Sequence, residues 1–137
     1  PHWTEEVHHE VELALKLSST LRVLEGAVAL DLTERKIQNA AKQKGQPWTL
    51  AKSFHDACAV SAFFTLKNLN EIADVRIRLW VNDELRQECR TSEMIFQPQV
   101  LLDYIQEHFP CCPGDLILTG TPQGVGKLSR FQQSHFL

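Results

Sequence analysis

The sequence predicts a β-rich α+β fold, and three observations carry that reading. Apolar and polar residues alternate over residues 7–15 and 75–81, the period-two signature of strands. An Asn82-Asp83 pair follows the second run and signals a tight turn between paired strands. Helical spacing is confined to two short stretches, residues 33–43 and 97–108, without the regular strand–helix alternation of a doubly wound sheet.

Residues 7–15 read V-H-H-E-V-E-L-A-L. Val7, Val11, Leu13 and Leu15 share one parity and His8, Glu10 and Glu12 the other, so a strand here has an apolar face and an acidic face. Residues 24–30 form a second apolar run, read as a strand that ends at Asp31. Residues 33–43 read as a helix capped by Thr33 and stopped by Gly45 and Pro47. Pro47-Trp48 opens a loop that reaches residue 54 through a short extended piece. Residues 75–81 (V-R-I-R-L-W-V) form a strand, and residues 84–88 return beside it after the turn. Residues 97–108 form a second helix with Val100, Leu101, Tyr104 and Ile105 on one side. Pro113-Gly114-Asp115 is a turn and Leu116-Ile117-Leu118 a short buried strand. It runs into the glycine-rich loop T-G-T-P-Q-G-V-G at residues 119–126. The stretch from Ser129 to Leu137 matches no clean element.

A chain of 137 residues suits one domain, and 43% hydrophobic with 23% charged residues is ordinary for a soluble globular protein. The net charge of −3 points to neither a nucleic-acid nor a membrane partner. No apolar run approaches the ~18 residues of a membrane span, and no basic-then-apolar leader opens the sequence. Cys58, Cys89, Cys111 and Cys112 contain no C-x-x-C pair, so they read as free thiols in a reducing compartment. A zinc site or redox pair is the alternative. A cytoplasmic location is expected. The sequence starts without Met and ends on an unpatterned stretch, so it reads as part of a longer protein.

Glu10 and Glu12 lie one residue apart on a predicted strand, so their carboxylates project from the same face, roughly 6–7 Å apart at the backbone. Asp31 stands where the next apolar run stops. If the two strands are neighbours, three carboxylates converge, and each raises the pKa of the others. A hard divalent cation resolves that repulsion: Mg²⁺ takes oxygen ligands octahedrally, and three monodentate carboxylates leave about three positions for water or substrate. The same spacing also describes the solvated face of an edge strand, and spacing alone does not separate the two. His8 shares the face as a further ligand or a bystander.

Six stretches narrow the choice: H-H-E-V-E-L-A-L (8–15), A-L-D-L-T-E-R-K-I-Q (29–38), K-G-Q-P-W-T-L-A-K-S-F (44–54), V-N-D-E-L-R-Q (81–87), T-S-E-M-I-F (91–96) and P-G-D-L-I-L-T-G-T-P-Q-G-V-G (113–126). In this order they resemble the fumarylacetoacetate hydrolase family, in its branch of small acylpyruvate hydrolases and oxaloacetate-processing enzymes. The resemblance runs from Val7 to Gly126. It implies a mixed, strongly curved β-roll with short helices, assembled as a homodimer. It also implies Mg²⁺, with Mn²⁺ as the alternative, held by Glu10, Glu12 and Asp31.

The resemblance places Arg35 and Gln38 at the substrate carboxylate. The two are i and i+3 on a helix and share a face, and Arg offers a carboxylate a bidentate fork. It places Lys52 in the site as the catalytic group, where an ammonium stabilises enolate charge on a bound 2-oxo acid. Thr119 would donate its hydroxyl to substrate, with the glycines after it admitting a ligand close to the backbone. A solvent-facing Arg35 or Lys52 and a purely structural loop are the plainer readings. The reaction expected is Mg²⁺-dependent C–C hydrolysis of an acylpyruvate-type 2,4-dioxo acid through a metal-stabilised enolate. The alternatives are oxaloacetate decarboxylation or keto–enol tautomerisation, 2-hydroxymuconate-type isomerisation, and a non-enzymatic metal-binding homologue.

Three departures from the family pattern stand out. Nothing supplies its N-terminal N-Y-x-x-H-type segment or its lid His/Glu pair, and His2 and Glu5, although spaced H-x-x-E, are assigned no role. The chain is about ten residues short between Ser19 and Gly26, and the strand-rich tail after Gly126 is missing. Ala59 stands at a common proline position. The expected organisation is therefore one catalytic domain over residues 1–137 that lacks N-terminal, internal-loop and C-terminal parts. These gaps bear on the water-activating base, the lid and the dimer surface.

Overall fold

The computed structural model describes residue 4, residues 6–129 and residues 133–136. His2 and Glu5, and Arg130, Phe131, Gln132 and Leu137 of the tail, lie outside the described residues. The strands are β1 (Val7–His9), β2 (Val11–Leu17), β3 (Val23–Asp31), β4 (Thr33–Glu34), β5 (Cys58–Val60), β6 (Phe64–Thr65), β7 (Arg76–Val81), β8 (Glu84–Arg90), β9 (Leu116–Leu118), β10 (Gly126–Lys127) and β11 (Ser134–Phe136). The helices are α1 (Arg35–Gln43), α2 (Thr49–Lys52) and α3 (Pro98–His108). One sheet has the order β5-β3-β2-β9, with β6 also paired to β3; the others are β10-β1-β4 and β11-β7-β8. This is the expected β-rich α+β fold with short helices, and each ladder between described strands is antiparallel.

Strand β2 organises the core because its two parities do different work. Val11, Leu13, Leu15 and Leu17 are almost fully buried against Leu30, Ile77, Leu79, Val81 and Leu102, each such side chain contributing about 1.5–3 kcal/mol. On the opposite face Ala14 of β2 and Ala27 and Ala29 of β3 form a small-residue layer with Val60 and Leu118. Gly26 pairs with Leu15 and so lies on the first face, where a Cβ on it would stand 2.6 Å from the Phe64 ring of β6. Strand β2 therefore lies inside its sheet with both faces covered, and the solvated-edge reading of Glu10 and Glu12 falls.

The predicted strand at residues 7–15 is interrupted at Glu10, so β1 and β2 join different sheets, and β2 continues to Leu17. The short connection after it closes as a tight turn, with Ser18 N donating to Arg22 O at 2.8 Å and Leu21 N to Ser18 O at 2.9 Å. The Asn82-Asp83 turn forms as expected. Both residues have positive φ, 51° and 64°, the geometry that matches strand twist in a two-residue hairpin.

Four local expectations are corrected. Thr33 does not cap the first helix, because pairing with His8 draws it into β4; Glu34 caps instead, accepting from Ile37 N at 2.5 Å. The segment after Pro47 forms the single turn α2 rather than a loop and an extended piece. On α3 the inward stripe is Pro98, Leu102 and the partly buried Leu101 and Ile105, whereas Val100 and Tyr104 are exposed. Part of the unpatterned tail is a strand: β11 pairs with β7, and His135 stacks on Trp80 at 5.3 Å. The four cysteines are free thiols, and no helix among the described residues is long and apolar enough to cross a membrane.

Candidate metal centre

The register of β2 against β3 assembles the acidic cluster. Glu12 pairs with Ala29, and Asp31 N donates to Glu10 O at 2.8 Å. Residues 10, 12, 29 and 31 therefore present side chains on one face. The buried small side chains of Ala14 and Ala29 share that face with the acids. One oxygen from each of Glu10, Glu12 and Asp31 lies within 4.8 Å of the others. Glu10 and Glu12 are buried and Asp31 is half-buried.

Cations come from the helices that follow β3. Lys52, at the end of α2, donates to Glu10 Oε2 at 2.8 Å and to Asp31 Oδ2 at 2.5 Å. Arg35, at the start of α1, donates to Glu10 Oε1 at 2.5 Å and to Gln38 Oε1 at 2.6 Å. The i, i+3 spacing of Arg35 and Gln38 thus brings their side chains together, and the buried Gln38 orients the guanidinium. Arg35 has five donors, so it retains N–H groups for an anionic ligand.

Glu12 is held differently. Its carboxylate accepts from Gly120 N at 2.6 Å, and no side-chain cation among the described residues forms an ion pair with it. Burial, with the nearby charges of Asp31 and Glu10 adding to it, pushes its pKa up to about 7 against the Gly120 hydrogen bond. Burial works against ionisation of Glu10 as well, but its bonds to Lys52 and Arg35 prevail and hold it below the usual carboxylate range. Lys52 is desolvated too, and Asp31 and Glu10 outweigh that cost and raise it above the ordinary lysine value. Cys58, opposite Asp31 in the β3–β5 register, has its thiol pushed up by burial and then by the charges of Asp31 and Glu12.

This donor set fits a hard divalent cation. Three converging carboxylate oxygens are the ligands such an ion prefers, and a buried Glu12 with a raised pKa shows one negative charge that the surrounding side chains leave under-compensated. Glu10, Glu12 and Asp31 would hold the ion. A cavity of about 450 Å³ opens on the loop side of Glu12, lined by Val11, Met94, Leu101, Thr119, Gly120 and Thr121 among others. Lys52 and Arg35 do not line it.

Thr119 is beside this cavity, but its hydroxyl donates to Leu13 O at 3.0 Å, which ties the loop to β2. Of the three glycines of that loop, Gly124 and Gly126 meet the protein itself, whereas a Cβ on Gly120 would meet nothing within 4 Å. A Cβ on Gly124 would stand 2.4 Å from Arg86 O, and one on Gly126 would stand 3.1 Å from His9 Nε2. Sequence reasoning missed this interior contact. It also missed His9 and Gln87, both about 1% exposed and bonded to each other at 2.9 Å. Their only sequence signal is polarity at positions the strand pattern turns inward.

Comparison with known proteins agrees with this geometry. The model of the fumarylacetoacetate (FAA) hydrolase C-terminal matches residues 1–136. Oxaloacetate tautomerase FAHD1, mitochondrial, of Bos taurus is 42% identical over 136 residues, which cover 92% of this chain and 62% of that relative. Oxaloacetate tautomerase YcgM of Escherichia coli is 40% identical over 133 residues, 89% of this chain and 61% of that relative. A fumarylpyruvate hydrolase from Pseudomonas aeruginosa, solved in complex with Mn²⁺ and pyruvate, superposes with a TM-score of 0.93 at 27% identity, over 100% of this chain and 63% of that one. The chain thus spans a little over three fifths of the length of the curated relatives it matches.

Proposed function

This chain belongs to the fumarylacetoacetate hydrolase family, and from that premise we propose that it is the metal-binding core of an enzyme that enolises small 2-oxo acids, with keto–enol tautomerisation of oxaloacetate as its reaction. The observation that carries the reading is the convergence of Glu10, Glu12 and Asp31 within 4.8 Å, with Lys52 and Arg35 bonded to the same acids. Mg²⁺ or Mn²⁺ at these carboxylates supplies a Lewis acid and template for a 2-oxo carboxylate. Arg35, steadied by Gln38, binds the substrate carboxylate through its remaining donors. Lys52 places a positive charge beside the oxygen on which enolate charge gathers as the enol hydroxyl gives its proton to water and the adjacent carbon takes one from water.

Tautomerisation is preferred over the expected hydrolysis on likeness: the two tautomerase relatives are 42% and 40% identical to this chain, the fumarylpyruvate hydrolase 27%. The names of the two tautomerase relatives support the same branch. Acylpyruvate hydrolysis is the second reading, favoured by the likeness to the fumarylpyruvate hydrolase and by the largely apolar cavity beside Glu12, which suits an acyl group. A homodimer is part of the same proposal: Val100 and Tyr104 leave α3 exposed one turn apart, with Ile95 and Phe96 exposed before them.

The test uses the full-length protein with Mg²⁺ or Mn²⁺, and with EDTA as control. Metal-dependent acceleration of the enol-to-keto conversion of oxaloacetate supports the first reading. Pyruvate release from acetylpyruvate without that acceleration moves the assignment to hydrolysis. Neither activity refutes both.

A further inference from the structure

Gln87 lies on β8, well away from the acids in sequence, yet its side chain reaches the interruption between β1 and β2. A register shift between Leu79 and Trp80 leaves Arg86 as the extra residue of β8 and sets Gln87 opposite Leu79, so Gln87 turns inward and is 1% exposed. Oε1 accepts from Val11 N at 3.1 Å and faces His9 Nδ1 at 2.9 Å. Nε2 donates to Thr121 Oγ1 and to Pro122 O, both at 2.9 Å. A backbone N–H only donates and a carbonyl only accepts, so this orientation of the amide is fixed by its partners. The same logic makes His9 Nδ1 the donor to Gln87. Thr121 in turn donates to Val11 O at 2.9 Å.

The two groups held by Oε1 flank Glu10 directly, since His9 precedes it and Val11 follows. The two groups held by Nε2 belong to the loop whose Gly120 N–H holds Glu12 at 2.6 Å. One amide therefore ties the residues on both sides of the first acid, His9 by its ring and Val11 by its backbone N–H, to the loop that orients the second. Gly124 brings that loop flat against this strand, since a Cβ there would stand 3.2 Å from Gln87 Cγ.

We propose that Gln87 is a positioning residue of the metal centre, setting the placement of Glu10 and Glu12 through His9, Val11 and the loop at residues 119–122. The inference rests on the metal-centre reading above. All four hydrogen-bonding capacities of the amide are used and water is excluded, so no solvent molecule can replace it without repacking. Outer-shell partners of this kind typically change metal affinity by about 10- to 100-fold.

Gln87→Met keeps the shape and length of the side chain and removes every hydrogen bond. Mn²⁺ binding to the full-length protein is titrated through the loss of the free-ion electron paramagnetic resonance signal, with far-UV circular dichroism as the folding control. The expected result is a native spectrum with Mn²⁺ affinity weakened about 10- to 100-fold, and kcat lowered more than KM is raised. A wild-type Kd in a folded Gln87→Met protein overturns the proposal and leaves the metal centre standing. Absence of Mn²⁺ binding by the wild type overturns both. If Gln87→Met does not fold, Thr121→Val decides by the same titration. It removes both bonds of the Thr121 hydroxyl, to Gln87 and to Val11, and leaves Oε1 of Gln87 paired, so weakened Mn²⁺ binding supports positioning through this network and wild-type binding overturns it.

Discussion

Replacing Glu12 by Gln should stabilise the metal-free protein while abolishing its affinity for metal. The unfolded chain releases the Glu12 proton near the usual 4.5, and the folded chain holds it to about 7. Folding thus takes up a proton between those values. The group's contribution to stability falls as pH rises through this window and stays low above it. At 1.36 kcal/mol per unit, the shift from 4.5 to about 7 costs about 3 kcal/mol at pH 8. Glu12 is buried, so solvent screening does not diminish the effect. Gln carries no charge and still offers an oxygen to Gly120 N–H. In EDTA at pH 8 the Glu12→Gln protein should melt about 6–12 °C above wild type, at ~2–4 °C per kcal/mol for a domain of this size. Near pH 4.5 the two should coincide. Saturating Mn²⁺ should raise the melting temperature of wild type only, since binding to the native state adds RT ln(1 + [L]/Kd). Melting curves from pH 4.5 to 8, with and without Mn²⁺, make the comparison. A variant that melts at or below wild type in EDTA at pH 8, or that gains as much from Mn²⁺, refutes the reasoning.

Four further outcomes are expected. Asp31→Ala should lose Mn²⁺ binding with the far-UV spectrum retained, because Asp31 offers an oxygen to the cluster rather than packing in the core. Lys52→Met should lower kcat by about two to three orders of magnitude and lower the metal-free melting temperature, since Glu10 and Asp31 lose the ammonium they share; steady-state kinetics and calorimetry check both. Arg35→Ala should raise KM for 2-oxo acids about 10- to 100-fold, the worth of a charged hydrogen bond or two, with a smaller change in kcat. Gly124→Ala should destabilise by about 2–4 kcal/mol in urea unfolding, because φ is +100° and the added Cβ would meet Arg86 O at 2.4 Å.

Much of the architecture was readable from local pattern. Period-two alternation located β2 and β7, the Asn82-Asp83 pair located the β7–β8 hairpin, and parity placed Glu10 and Glu12 on one face. These signals survive in sequence because each depends on neighbours a few residues apart. Family motifs then singled out Arg35, Gln38 and Lys52, which the structure brings onto or beside the same acids.

Where competing interactions were distant, local pattern failed. Thr33 is a good cap by type, but pairing with His8 took it into a strand and passed the cap to Glu34. Val100 and Tyr104 fit an apolar stripe, yet the docking of α3 turned Leu102 inward instead. By itself, then, the sequence determined the fold class, the family and the three acids. Tertiary structure alone decided that β2 is covered on both faces, that Lys52 bridges Glu10 and Asp31, and that Gln87 clamps His9 and Val11 from 78 and 76 residues away. Burial and long-range hydrogen bonding exist only once the chain has closed on itself, and they set the charge state of Glu12 and the alignment of the acids.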